Sequence, residues 1–118
     1  MPLSILARLT RDLEDGLRSP SNYQQALDAY QQYLMREAQA TAGLEPPEDD
    51  EVGQQSLAGA QQIFEWFWEA SELLRDYGRS RSALHRKQAM ELAYKADSEL
   101  RDLIYNTYAR ATRNIYAS

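Results

Sequence analysis

The stretch IFEWFWEASELLRDY, Ile63–Tyr77, contains both tryptophans and both phenylalanines of the chain. On a helical wheel at ~100° per residue, its apolar side chains fill roughly half of the circumference and its glutamates fill the opposite side. An apolar arc this wide needs neighbours on two sides, so the stretch predicts the central helix of a bundle rather than one arm of a two-helix hairpin. We expect Phe64, Phe67 and Leu74 to be almost fully buried. The whole arc comprises Ala60, Ile63, Phe64, Trp66, Phe67, Ala70, Leu73, Leu74 and Tyr77, with Trp68 at its edge.

Three groups of helix-breaking residues divide the chain. Pro20 stands between two serines, the stretch GLEPPEDDEVG covers residues 43–53, and Gly78 precedes Ser80 and Ser82. Between these breaks the periodicity is helical, and no alternating strand pattern occurs. We therefore predict an all-α single domain over residues 1–118, a small bundle of about four helices with an acidic, Pro-rich loop at 43–53. The predicted helices run from about Leu3 to Leu17, from Ser21 or Asn22 to about Ala42, from about Gln54 to Tyr77, and from Ser80 or Ser82 to the C-terminus.

The long C-terminal helix poses a problem of length. About 37 residues at ~1.5 Å each give roughly 55 Å, whereas a compact fold of this size has a radius of gyration of about 13–14 Å. Either the helix breaks, or the first two helices lie end to end along it, or a second subunit covers the overhang. Its apolar face continues through Ala89, Ala93, Ala96, Leu100, Leu103, Ile104, Tyr108, Ala111 and Ile115.

Composition excludes several classes of site. The chain has no cysteine and one histidine, which excludes disulfides, thiolate chemistry and cysteine-based zinc sites. The net charge of −5 argues against general affinity for nucleic acid or for anionic lipid. The N-terminus lacks the apolar core of a signal sequence, and no run approaches the ~18 apolar residues of a membrane helix. We expect a cytoplasmic protein that has no cofactor and does not attach to membranes.

Charge is distributed unevenly along the chain. Residues 37–76 contain ten acidic residues against Arg75 alone, a balance of −9, and residues 77–118 contain eight basic and four acidic residues, a balance of +4. This asymmetry indicates directional packing or the choice of a charged partner.

The stretch NYQQALDAYQQYL, residues 22–34, places Tyr-Gln-Gln-x-Leu twice at a spacing of seven. That spacing aligns Tyr23, Leu27, Tyr30 and Leu34 in one apolar stripe. The stretch resembles the second helix of a tetratricopeptide repeat, and its small and aromatic residues recur 34 positions later, which is the period of that family. The repeat family has a small residue where Tyr33 stands. We therefore predict an ordinary core helix here.

Four carboxylates resemble the magnesium-binding pattern of the all-α nucleotide pyrophosphohydrolases. They are arranged as Glu69-x-x-Glu72 and Glu99-x-x-Asp102 on the third and fourth helices. The resemblance implies that the four could hold Mg²⁺ and a triphosphate. Both pairs lie opposite the apolar faces of their helices, however, so packing through those faces would turn them apart into solvent.

The segment RDYGRSRSALHRK, residues 75–87, is basic. Arg79 and Arg81 flank the expected start of the fourth helix, where unpaired N–H groups favour anions. We consider two interpretations, an anion-binding site formed by Arg79, Arg81, Arg86 and Lys87, or a solvated turn that pairs with the acidic loop of the same chain or of a neighbour.

Tyr94, Tyr105 and Tyr116 recur at intervals of eleven, which aligns them on a straight helix beside its apolar face. Tyrosine is enriched in interfaces, so we predict these three residues, together with Trp68, as partner-binding residues. The alternative is a flanking contact with the first or second helix.

These patterns favour a non-catalytic helical interaction protein, an adaptor, an assembly factor or a subunit of a larger complex, with a protein partner of unknown identity. We expect a homodimer built on the fourth helix. The alternative function is that of a Mg²⁺-dependent nucleotide pyrophosphohydrolase-like enzyme that uses Glu69, Glu72, Glu99 and Asp102.

Overall fold

Four α-helices account for most of the chain. The computed structural model describes residues 2–44 and 46–117, with side chains for all of them except 111 and 114–117. The described residues contain no strand, which confirms the prediction of a small all-α bundle with a long C-terminal helix. The helices are α1 (Pro2–Glu14), α2 (Pro20–Ala42), α3 (Glu51–Ser80) and α4 (Ala83–Ala117).

Helix α1 ends three residues before the predicted position because Gly16 adopts a left-handed conformation with φ 73°. The N–H of Gly16 donates to the carbonyl of Leu13 at 3.2 Å, and the N–H of Leu17 donates to that of Asp12 at 2.8 Å. This pair of bonds is the Schellman motif, which satisfies the last carbonyls of a helix and turns the chain away. Leu17, the predicted last residue of the helix, therefore lies outside it and is exposed.

Side-chain caps set the starts of α2 and α3. Ser19 caps α2 by accepting a hydrogen bond from the N–H of Asn22, and Pro20 follows at the first helical position. Asp50 caps α3 by accepting from the N–H of Gly53 at 2.9 Å. Because the capping carboxylate lies at Asp50, α3 begins at Glu51, three residues earlier than predicted, and the acidic loop is correspondingly shorter.

Helices α3 and α4 form a long antiparallel hairpin joined by residues 81 and 82. Helix α2 packs against α3 and makes no close approach to α4 among the described residues, whereas α1 contacts α2, α3 and α4. The molecule measures 56 × 21 × 21 Å and has a radius of gyration of 16.9 Å, larger than that of a compact fold of this size. The length problem is thus resolved by an elongated bundle. Helix α4 does not break, and the alternative in which α1 and α2 both lie along it is wrong.

The two halves of this bundle differ in the number of helices that meet. The proximal half consists of residues 2–34, 63–80 and 83–100, where all four helices are present. The distal half consists of residues 35–44, 46–62 and 101–117, to which α1 does not extend. Among the side chains that the structure describes, all the buried apolar ones that form the core lie in the proximal half. They are Leu6, Leu9, Leu13, Tyr23, Leu27, Tyr30, Leu34, Ile63, Phe67, Ala70, Leu74, Tyr77, Ala89, Ala93 and Ala96.

The predicted core of α3 is confirmed at two positions and wrong at a third. Phe67 and Leu74 are fully buried. Phe64 is only partly buried, because it lies in the seam between α2 and α3 beside Met35 and Trp68, where a groove opens to solvent. The stripe predicted on α2, from Tyr23 to Leu34, is buried as expected for a core helix.

Two glycines inside α3 should respond to alanine in opposite directions. A Cβ at Gly78 would lie 2.7–2.9 Å from atoms of Tyr23 and Gln24, and the Tyr23 ring is fully buried and cannot move aside. Overpacking of this kind costs roughly 1–3 kcal/mol, more than the ~1 kcal/mol that alanine gains over glycine in a helix, so Gly78→Ala should destabilise the protein.

Gly59 provides the matched control. A Cβ at Gly59 meets nothing within 4 Å, so Gly59→Ala should stabilise the protein by about 0.5–1 kcal/mol. Urea denaturation of both variants measures the difference, and a Gly78→Ala variant as stable as the parent would show that Tyr23 is not held in place.

Candidate functional site

The distal half exposes a cluster of large apolar side chains. Ile104, Tyr105 and Tyr108 on α4 are 55%, 71% and 71% exposed, and Leu44 and Val52 near the α2–α3 connection are 76% and 53% exposed. Leu44, Val52 and Tyr105 line a groove of about 680 Å³ between the end of α2, the start of α3 and α4. We call this groove and the five exposed residues the distal surface.

The distal groove exists because α1 is short. Gly53, Ala60, Phe67 and Leu74 follow one another at intervals of seven on α3 and so share one face. Helix α1 has 13 residues and packs against α3 in the proximal half, where Phe67 and Leu74 are fully buried. Helix α3 has 30 residues, and in its distal part Gly53 and Ala60 line the groove instead of a core.

One ion pair ties the two ends of the hairpin together beside this groove. Arg110 of α4 donates to a carboxylate oxygen of Asp50, the N-cap of α3, at 3.1 Å. The hydrogen bond from the Gly53 N–H, followed by that from Arg110, holds the pKa of Asp50 below its ordinary value. The acidic loop therefore pairs with Arg110. Pairing with Arg79 and Arg81 of the same chain is wrong, because those residues lie at the opposite end of α3, and pairing with those of a neighbouring chain stays a prediction.

The structure separates the predicted partner-binding residues. Tyr105 lines the distal groove, whereas Tyr94 is exposed in the proximal half and Trp68 lies in the seam between α2 and α3. The side chain of Tyr116 lies outside the described residues. All four remain predictions as partner-binding residues, but they do not form one site.

The prediction that Ile104 and Tyr108 belong to the core face of α4 is wrong. Ile104 and Tyr108 were predicted on the core face and are exposed, while Leu100 and Leu103 pack against the core. The inward positions Ala89, Ala93, Ala96, Leu100 and Leu103 follow alternating steps of four and three. A seam with that period drifts by ~20° per heptad relative to a straight helical wheel. A heptad count in place of a straight wheel would have placed Ile104 and Tyr108 outside the core.

The four predicted anion-binding residues have different environments. Arg79 pairs with Asp76 at 3.6 Å, and the guanidinium of Arg81 lies 5.9 Å from the centre of the Tyr77 ring. Arg86 donates from Nε and Nη2 to the two carboxylate oxygens of Glu14 at 3.0 and 3.2 Å, and Lys87 is exposed. Arg86 thus fastens α1 to α4, and anion binding by these four residues stays a prediction.

The contact between Glu14 and Arg86 predicts how stability depends on pH. Burial acts to raise the pKa of Glu14, but hydrogen bonds from Arg86 and Tyr77 outweigh it and the net pKa lies below the ordinary 4.5. A carboxyl with a lowered folded-state pKa stabilises the fold above its unfolded pKa and loses that contribution as pH falls. We expect Glu14→Gln to be less stable than the parent at pH 7, with the difference shrinking below about pH 4.5. Thermal melts of the parent and the variant at pH 7 and at pH 3 measure this difference in stability. Asp15→Asn is the control, and an equal deficit at pH 7 and pH 3 would contradict the assignment.

The four carboxylates of the magnesium-binding pattern are not brought together. Glu72 accepts a hydrogen bond from Gln31 of α2, and Glu69 is exposed on the same helix. Glu99 and Asp102 line a different pocket, which α4 forms with Trp66 and its neighbours on α3. Within residues 2–44 and 46–117, no cluster of three or more His, Asp or Glu side chains is arranged to hold a metal ion.

No helix in the described part of the chain combines the length and the apolar character needed to cross a lipid bilayer. No protein-family model, curated protein or solved structure matches the chain at a significant level. Neither the tetratricopeptide resemblance nor the pyrophosphohydrolase resemblance is therefore supported by a family match.

Proposed function

We propose that this protein is a non-catalytic, cytoplasmic interaction protein that forms a homodimer through its distal surface and serves as an adaptor, an assembly factor or a subunit of a larger complex. The observation that supports the proposal is the number of exposed leucine, valine, isoleucine and tyrosine side chains at one end of the bundle, where Leu44, Val52 and Tyr105 line an open groove. Exposed apolar side chains that line a common groove, as Leu44, Val52 and Tyr105 do, mark interaction sites on folded proteins, whereas single exposed apolar residues carry no such meaning.

The amino acids of the distal surface suit a protein interface. Tyr105 and Tyr108 offer large rings with polar hydroxyl groups, and aromatic residues are enriched in interfaces and their hot spots. The groove that Tyr105 lines lies on the same face of α3 as Phe67 and Leu74, which are buried in the proximal half, where α1 packs. A helix placed there would extend the four-helix packing along the whole length of α3.

Charge complementarity favours a second copy as the occupant. Residues 48–51, Glu-Asp-Asp-Glu, carry four negative charges at the distal end. Residues 101–113 of α4 carry Arg101, Arg110 and Arg113 against Asp102 alone, a balance of +2. Asp50 pairs with Arg110 and Arg101 with Asp97 within one copy, at 3.1 and 3.0 Å. Since a C2 interface brings the same patch of both subunits together, the other acidic residues of segment 48–51 can face Arg113 of the second copy.

Tyr105→Asp should dissociate the dimer without unfolding the chain. Burying an unpaired charge at the interface costs roughly 3 kcal/mol, which raises the dissociation constant by about 100-fold. Because Tyr105 is exposed within one copy, the helical circular dichroism of the variant should match that of the parent. Light scattering of the eluting protein after gel filtration reads out the mass.

The matched control is Leu84→Asp, which changes an exposed apolar residue on the same helix at the opposite end of the molecule. It should leave the dimer intact. If Leu84→Asp and Tyr105→Asp affect the mass equally, the distal surface is not the interface.

A further inference from the structure

A second groove lies in the seam between α2 and α3, apart from the distal surface. It has a volume of about 410 Å³, and it is lined by Met35 and Ala38 of α2 and by Phe64, Glu65 and Trp68 of α3. We call it the Trp68 groove. No residue lines both this groove and the distal groove.

On the proximal side of this groove, hydrogen bonds between α2 and α3 close the seam between the two helices. Within the groove, the seam is open to solvent. Arg75 of α3 donates to Asp28 at 2.7 Å and to Gln31 at 3.0 Å, both on α2. Gln31 in turn donates to the hydroxyl of Ser71 at 2.9 Å. Beyond this polar network the side chains between the two helices become apolar, and Met35 is 49% exposed. The groove therefore presents a methionine, a phenylalanine and a tryptophan that no helix of this chain covers.

The chemistry of these three side chains is that of a surface that binds apolar anchors. Tryptophan dominates hot spots at interfaces, and methionine adapts its unbranched side chain to ligands of different shape. Phe64 and Trp68 are four residues apart on α3, so they lie side by side along the floor of the groove. Apolar side chains of a partner can pack between them.

The rim of the Trp68 groove on the α3 side is acidic. Glu65, Glu69 and Glu72 stand at intervals of four and three residues, on one exposed face of the helix beside Trp68. Arg75, the one basic residue between positions 37 and 76, pairs with Asp28 at 2.7 Å and with Glu72 at 3.8 Å, so it offsets the charge of Glu72. Glu65 and Glu69 therefore give this rim a net negative potential that favours a basic ligand.

The length of the groove matches two turns of a helix. Gln61 and Trp68 bound it on α3, and seven residues at ~1.5 Å each span roughly 10 Å. Anchors at positions i, i+3 or i+4, and i+7 of an amphipathic helix cover the same distance. A helix also satisfies its own backbone hydrogen bonds, which an extended peptide in this apolar groove could not do.

We infer that the Trp68 groove binds a basic amphipathic helix of a partner protein, with its apolar anchors on Met35, Phe64 and Trp68 and its lysines or arginines against Glu65 and Glu69. This interface is independent of the proposed dimer, since the two surfaces share no residue. A dimer would then present two such grooves, one on each copy.

Tryptophan fluorescence can test the inference on the full chain. Trp66 lies elsewhere on α3, where the ammonium of Lys95 is 4.4 Å from its ring, so Trp66→Phe leaves Trp68 as the single tryptophan. The probe is an amidated helical peptide of about 15 residues, with leucines at i, i+4 and i+7 and lysines on the opposite face. A matched peptide carries glutamates in place of the lysines.

The lysine peptide should shift the Trp68 emission to shorter wavelength with a saturable, micromolar dissociation constant that weakens as salt is added. Glu65→Gln combined with Glu69→Gln should weaken binding by about 10-fold, equivalent to ~1.4 kcal/mol. The matched pair Glu91→Gln and Glu99→Gln, on α4, should leave it unchanged. Met35→Ala should weaken binding of the lysine peptide without altering the salt dependence of that binding.

Three results would overturn the inference. The first is the absence of any response to the lysine peptide at millimolar concentration. The second is an equal response to the glutamate peptide, which would show apolar adsorption without charge selection. The third is a Trp68 emission that depends on protein concentration in the absence of peptide, which would show that a second copy covers this groove. Because Tyr105→Asp leaves the Trp68 groove unchanged, the titration repeated in that variant separates failure of this inference from failure of the proposed dimer.

Discussion

Phe67→Ala will lower the free energy of unfolding by about 3–5 kcal/mol, the cost of removing a buried phenylalanine and leaving a cavity. Phe67 is fully buried and belongs to a core cluster to which α1, α2 and α4 also contribute residues. A domain possesses only ~5–15 kcal/mol of stability, so this one substitution removes a large share of it. Urea denaturation followed by circular dichroism measures the loss.

The matched control for this prediction is Phe64→Ala, the same change one helical turn away. Phe64 is partly buried in the open Trp68 groove, so its removal leaves less of a closed cavity and should cost clearly less. If the two variants lose equal stability, the core is not centred on the proximal half as described.

Leu6→Ala should cost about 2–5 kcal/mol, the range for a fully buried leucine. Leu6 lies on α1, the shortest helix, and that helix supplies Leu6, Leu9 and Leu13 to the core. The prediction tests whether α1 is an integral fourth helix of the proximal half. If it were a loosely attached arm, the loss would be small and the remaining helices would unfold as in the parent.

Ile5→Ala provides the control on the same helix. Ile5 is 38% exposed and adjacent to Leu6, so the two variants differ in burial far more than in position. We expect Ile5→Ala to remain within about 1 kcal/mol of the parent, in line with the small effects of most surface substitutions. Equal losses at the two positions would contradict the orientation of α1.

Local signals were sufficient to predict most of the fold. The wide apolar arc of Ile63–Tyr77 required neighbours on two sides, and α3 does contact all three other helices. Glycine, proline and short polar residues predicted the number of helices, because capping and turn preferences act within a few residues of the break. The errors at helix ends come from the choice among several possible caps, such as Ser19 in place of Ser21 or Asn22 for α2.

The candidate site depends on distances that no local pattern contains. The length of each helix can be read from its periodicity, but the alignment of one helix end with another cannot be read from the sequence. The sequence therefore does not predict the distal groove, which begins where α1 stops covering α3. Arg110 and Asp50 are 60 residues apart in the chain, and their pairing follows from the antiparallel hairpin. The exposure of Ile104 and Tyr108 has a different origin, since the inward seam of α4 follows a heptad period and leaves both residues outside the core face.

The central claim is that the distal surface joins two copies of this chain. Sedimentation equilibrium of the unmodified protein between about 1 and 100 µM tests it most directly, because a dimer with a binding free energy near −8 kcal/mol dissociates within that range. We predict an average mass that rises with concentration towards twice the 13.6 kDa of one chain. A mass that stays at 13.6 kDa throughout would contradict the claim.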